Sequence, residues 1–145
     1  MNGERVLVLL GVRPRRAKRG GGQLFVADMV ARGFQVKAME RIKAALGLSD
    51  VQLAEVLGMS QKTISRLRKN PDATLGPVAS DRLYRLAALY TMARQVLGGD
   101  EDAREWLGTP QMGLNQRIPL ELARTEVGAR EVENLLGRIE YGVLS

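Results

Sequence analysis

The chain contains no cysteine and no histidine. Without cysteine there are no disulfides, no thiolate metal ligands and no thiol nucleophile. Without histidine there is no His-based triad, no ordinary zinc site and no imidazole general base. Aromatic residues are few, six in 145. The core must therefore be built from Leu, Val, Ala, Ile and Met, and an aromatic-rich sheet for stacking RNA bases is excluded. No apolar run approaches the roughly 20 residues a bilayer-spanning helix needs. Val6–Val12 is too short to span, and Arg13, Arg15, Arg16, Lys18 and Arg19 follow it directly. An export signal carries its basic residues before the apolar core and a small-residue cleavage site after it. The expectation is a cytoplasmic protein with no membrane contact, in which this stretch forms a strand or a short docking helix.

An apolar share of 45% with 26% charged residues suits a packed globular chain, and 145 residues allow one domain or two small ones. The net charge of +6 is unevenly spread. Residues 1–70 carry 14 Lys or Arg against 5 Asp or Glu, while residues 99–145 carry 5 against 9. A basic front and an acidic back suggest nucleic acid at one end and a different partner at the other.

The informative stretch is Leu48–Lys69. Ser49 is a good helix N-cap, and Gln52 three residues on completes a capping box. Leu53, Ala54, Val56 and Leu57 give the first helix its apolar face, and Gly58 ends it. Met59 anchors the turn and Ser60 caps a second helix whose inward side is Ile64 and Leu67. Small Ala54 permits a close crossing. The whole register is that of a helix-turn-helix. Ser60, Gln61, Lys62, Thr63, Ser65, Arg66 and Lys69 are then the DNA-binding candidates, on the outer face and leading end of the second helix. In this motif that end enters the major groove, where Gln can read adenine and Arg or Lys can read guanine. An ordinary helical hairpin with a solvated basic face has the same composition, and that alternative stays open.

Around this motif the periodicity predicts helices throughout. One spans Leu24–Val30 and closes at Gly33; another carries Val36, Met39, Ile42 and Leu46 and ends at Gly47. Asn70–Asp72 and Gly76–Pro77 read as turns. Ser80 is expected to cap a long helix running to Gly98. That helix has two apolar stripes: Leu83, Leu86, Ala87, Tyr90, Ala93 and Leu97, then Tyr84, Ala88, Met92 and Val96. Two stripes imply burial on two sides, against a second copy or at the centre of a monomer. A short acidic-led helix follows from Asp100 to Leu107, then a loop to Arg117 and a turn of helix from Pro119. Thr125 caps a last helix with Val132, Leu135, Leu136 and Ile139 inward. Glu131, Glu133 and Glu140 read as its solvated face rather than a catalytic pair.

Trp106-Leu107, Thr109-Pro110, Leu114, Pro119-Leu120, Thr125, Gly128, Glu131-Val132, Leu135 and Arg138 to Gly142 resemble the toxin-binding domain of Xre/MbcA/ParS-type antitoxins. The helix-turn-helix from Leu46 onward fits the front half of the same proteins, so the resemblance covers roughly residues 27–145. It implies an all-α fold, a helix-turn-helix bundle followed by a small helical toxin-binding domain. The expected divisions are a basic amino-terminal arm over 1–22, a DNA-binding part with its long helix over 23–98, and a toxin-binding part over 99–145.

The resemblance further implies a type II antitoxin, not an enzyme, with no cofactor and no metal. Its partner would be a RES-domain toxin encoded in the same operon, a toxin class that degrades NAD or uses it to ADP-ribosylate a target. The antitoxin would obstruct the NAD pocket and repress its own operon by binding operator DNA, as a homodimer within a toxin–antitoxin hetero-oligomer. The toxin-facing candidates are Trp106, Arg138, Ile139, Tyr141, Val143 and Leu144. The competing reading is a stand-alone dimeric helix-turn-helix repressor without a toxin. A carboxylate enzyme or an RNA adaptor has no motif in support.

Overall fold

The computed structural model describes residues 3–12 and 22–142. The fold is all-α: among the described residues there is no β-strand, and nine α-helices are joined by turns. They form two compact units, Met1–Ala87 and Ala88–Ser145.

The first unit opens with α1 (Gly3–Leu9), which settles the strand-or-helix question in favour of a helix. Val6, Leu7 and Leu10 are buried, so this start of the chain is a docked element. The whole basic run, Arg13 to Arg19, lies outside the described residues. Helix α2 (Gly22–Arg32) stops at Gly33, and α3 (Lys37–Leu46) stops at Gly47, as the glycines predict. Ala38, Met39, Ile42 and Leu46 are the buried side of α3.

Helices α4 (Asp50–Leu57) and α5 (Gln61–Arg68) are the helix-turn-helix. Both halves of the capping box form: Gln52 N–H donates to Ser49 Oγ at 3.1 Å, and Ser49 N–H donates to Gln52 Oε1 at 2.9 Å. Caps of this kind are worth about 1 kcal/mol each. Gly58 has φ +66°, a conformation that favours glycine, and the end of the Arg82 side chain lies where a Cβ would be. Leu53, Ala54, Val56 and Leu57 are buried as expected. In α5 only Ile64 is fully buried, and Leu67 is half-buried.

Two sequence expectations need correction. Ser80 does not cap the long helix. Helix α6 (Pro77–Leu97) begins three residues earlier, with proline where its fixed φ suits a first turn. Ser80 is instead completely buried inside α6. Its hydroxyl accepts from Phe34 N–H at 3.0 Å and faces the Leu75 carbonyl at 3.4 Å, which satisfies it without solvent. The segment Gly108–Arg117 is also more than a loop, since it holds a 3-10 turn at Met112–Leu114. That turn is closed by a single antiparallel bridge between Gln111 and Arg117.

Helix α6 is continuous through both units, its residues up to Ala87 belonging to the first and those from Ala88 to the second. Leu83, Leu86, Ala87, Ala88, Leu89, Tyr90, Thr91 and Ala93 are buried, while Tyr84, Met92 and Val96 of the second stripe are half-buried. The second unit continues with α7 (Asp100–Leu107), the 3-10 turn, α8 (Pro119–Leu122) and α9 (Glu126–Glu140). Thr125 Oγ1 accepts from Gly128 N–H at 3.0 Å and caps α9. Gly128 is buried against α8, where a Cβ would run into the Leu122 carbonyl. Ala129, Val132, Leu135 and Leu136 complete the buried side of α9.

Candidate nucleic-acid and partner surfaces

The candidate reading surface is the outer side of α5. Ser60 caps the helix, its hydroxyl accepting from Thr63 N–H at 3.0 Å. Ile64 turns inward, and helical geometry then sends Gln61, Lys62, Ser65 and Arg66 outward. These four, with Ser60 and Lys69, are exposed, and Thr63 is half-buried behind the cap. The structure thus brings all seven DNA candidates onto one short element. Lys62, Arg66 and Lys69 form no ion pair with any described residue, which leaves three cations available to an anionic partner.

The back of α5 is held by ions. Arg68, its last residue, donates from Nε to Glu40 Oε1 in α3. Its two terminal nitrogens donate to Asp50 Oδ2 at 3.1 Å and Oδ1 at 2.6 Å, at the start of α4. Lys43 Nζ lies 2.9 Å from the same Asp50 Oδ1. The Arg68 fork, and Lys43 after it, hold the Asp50 carboxyl well below the usual carboxylate range. In turn Asp50 and Glu40 push the Arg68 guanidinium up. Arg68 was absent from the sequence candidates. The available signal was its position four residues after Ile64, which turns it to the inward side.

In the second unit the partner candidates occupy two elements. Trp106, half-buried at the end of α7, lines a cleft of about 300 Å³ with Leu97, Asp102, Glu105, Thr109 and Gln111. Arg138 and Ile139 are half-buried in the last turn of α9, and Tyr141 just beyond it is 80% exposed. Arg138 and Tyr141 are three apart and share an outward strip, whereas Ile139 follows the buried stripe. Val143 and Leu144 lie outside the described residues. Exposed Met112 and Val127 were not among the candidates. Val127 stands out in the sequence only once the buried register of α9 is fixed by Gly128, Ala129 and Val132.

Below the start of α7, Tyr90 O–H donates to Asp100 Oδ1 at 2.6 Å, with Arg94 Nη1 3.4 Å from the same oxygen. Arg94 also lies over the Tyr90 ring, 5.5 Å from its centre. Burial, then the Asp100 carboxylate, raises the Tyr90 phenol; that phenol's hydrogen bond lowers Asp100. Tyr90 is buried, whereas Asp100 and Arg94 reach solvent. Among the described residues no group of acidic side chains is placed to hold a metal ion, and no helix is long and apolar enough to cross a membrane.

Two family models match in series. Residues 25–88 match the antitoxin Xre-like helix-turn-helix domain, and residues 92–142 match the antitoxin Xre/MbcA/ParS C-terminal toxin-binding domain. The chain is 32% identical to the Antitoxin Xre of Yersinia enterocolitica over 121 residues, 83% of this chain and 81% of that protein. The chain belongs to the Xre antitoxin family. A second Xre antitoxin, from Photorhabdus laumondii, is 29% identical over 114 residues, 78% of this chain and 76% of that one. The fold also matches a chain in the crystal structure of the M. tuberculosis MbcT-MbcA toxin-antitoxin complex. The TM-score is 0.55 at 20% identity, covering 76% of this chain and 96% of that one. The Xre helix-turn-helix match contains most of α2, all of α3 to α5 and every DNA candidate. The toxin-binding match contains Trp106, Arg138, Ile139 and Tyr141. Helix α1 precedes both.

Proposed function

We propose that this chain is the antitoxin of a type II module. Its second unit binds a RES-domain toxin encoded in the same operon and obstructs the toxin's NAD pocket. Its first unit binds operator DNA as a homodimer and represses that operon. It acts in the cytoplasm as a binding protein without enzymatic activity. One observation carries the reading: a helix-turn-helix with a free polar outer face precedes, in one chain, a unit that matches a toxin-binding domain. The crystallised toxin–antitoxin complex of matching fold supports it.

Coexpression with the adjacent gene, followed by sizing of the product, tests the toxin half. The expected result is a stable hetero-oligomer that lacks the toxin's NAD-consuming activity. A chain that purifies alone as a homodimer, with no toxin-like gene beside its own, would favour the free-standing repressor. For the DNA half, a mobility shift should separate the chain's own promoter from a scrambled duplex of equal composition.

A further inference from the structure

Helix α5 has eight residues and one fully buried side chain, Ile64. Leu67 is only half-buried on the same side, so apolar contact fixes where the helix sits but leaves its direction loosely determined. A second point of attachment is needed, and Arg68 supplies it at the far end. Its guanidinium uses three nitrogens at once, one on Glu40 of α3 and two on Asp50 of α4. The planar fork makes this a directional contact rather than a point charge. The polarity also agrees with the helix dipoles, placing a cation at the end of α5 and carboxylates in the first turns of α3 and α4. Lys43 shares the Asp50 Oδ1 with the fork.

We propose that Arg68, through Asp50 and Glu40, is the positioning residue that sets the angle of α5 and so selects DNA sequence without touching DNA. This rests on the DNA-binding reading above. Eight residues of helix are ~12 Å long, so a tilt of about 10° at the Arg68 end moves the leading end by ~2 Å. Hydrogen bonds to base edges tolerate far less than that. Glu40 and Asp50 occupy the fork from within the chain, with all three side chains partly exposed, and so compete with any phosphate for its donors.

The test uses the full chain with Asp50→Asn, Arg68→Gln and Glu40→Gln. The probes are a duplex of the chain's promoter, a scrambled duplex, and hydrogen exchange of the α5 amides. Asp50→Asn makes the protein more positive, so a purely electrostatic effect would tighten binding to both duplexes. The clamp predicts the opposite: promoter preference falls about tenfold, ~1.4 kcal/mol, while the scrambled duplex binds as before or tighter. Arg68→Gln should lose the same preference, and exchange from Ile64 to Arg68 should quicken about tenfold in both variants. Glu40→Gln removes the charge of one partner and keeps the Asp50 fork, so it gives a smaller loss and serves where the other variants fold poorly. Asp50→Asn with undiminished promoter preference overturns the proposal, as does a lowered melting temperature with preference unchanged. Equal weakening on both duplexes in Arg68→Gln would make Arg68 a phosphate contact instead. If the wild-type chain shows no promoter preference, the DNA reading fails, and unchanged α5 exchange in the variants would separately dispose of the clamp.

Discussion

Arg82, on α6, donates a 3.0 Å hydrogen bond to the carbonyl of Leu57, the last residue of α4. The same guanidinium lies against Gly58, whose φ of +66° closes α4 and starts the turn into α5. Gly58→Ala therefore meets two penalties, a left-handed backbone worth about 1–2 kcal/mol and displacement of Arg82. Thermal melts should show a loss at least that large, with promoter binding reduced as well. Gly76→Ala, in open space at an unstrained φ, is the neutral control.

Two glycines in α9 should respond in opposite directions. A methyl at Gly128 would strike the Leu122 carbonyl of α8, so Gly128→Ala should cost about 1–3 kcal/mol by overpacking. Gly137 has nothing within 4 Å of its virtual Cβ and lies in the helix interior. Gly137→Ala should stabilise by about 0.5–1 kcal/mol. Urea titrations of the two variants read the difference directly.

The ion cluster makes a prediction about acid. Asp50 is held below its ordinary range by Arg68 and Lys43, so the native state keeps it ionised where the unfolded chain takes up a proton. A depressed folded value contributes stability above the unfolded pKa of about 3.9 and loses it as pH falls toward the folded value. Unfolding curves of wild type and Asp50→Asn should therefore run parallel from pH 7 to about 5, then converge below about pH 4. A gap that stays constant to pH 3 would remove the Arg68 fork from the cause.

Base reading by α5 is tested one contact at a time. Gln61→Ala or Arg66→Ala should cost about 1–3 kcal/mol and relax preference at one base position. The measurement is affinity across a panel of single-base operator variants. Uniform weakening over the panel would assign these side chains to phosphate. The dimer expectation places half-sites about 10 base pairs apart, or a multiple of that.

Tyr141, exposed just after α9, with Val143 and Leu144 beyond it, is the proposed plug for the toxin. A chain ending at Ile139 keeps the buried residues Val132, Leu135 and Leu136, so it should fold with nearly the wild-type melt. It should also fail to neutralise the toxin in a growth assay. Full neutralisation by the truncated chain would remove these residues from the interface.

Much of this molecule was written in local chemistry. Ser49 with Gln52, Ser60 with Thr63 and Thr125 with Gly128 are contacts between residues three apart. Such interactions depend on the nearest neighbours in the chain, which is why the boundaries of α4, α5 and the start of α9 were legible before any coordinates. The outward face of α5 followed from the same periodicity once Ile64 was assigned inward. Ser80 defeated that reading, because as a serine ahead of an apolar run it has the form of a cap. Its real partners, the Phe34 N–H and the Leu75 carbonyl, come from elsewhere in the chain. Arg68 escaped for the same reason: in the sequence it is one basic residue among Arg66, Lys69 and Lys62. Only the folding of α3 and α4 against α5 brought Glu40 and Asp50 within reach and turned one cation inward while its neighbours stayed in solvent. Apart from the start of α6 and the turn at Met112–Leu114, the sequence by itself determined where helices start, stop and carry their apolar sides, since those depend on contacts within one turn. Which charges pair and which glycines sit against a carbonyl was decided by tertiary packing, because those contacts join residues distant along the chain.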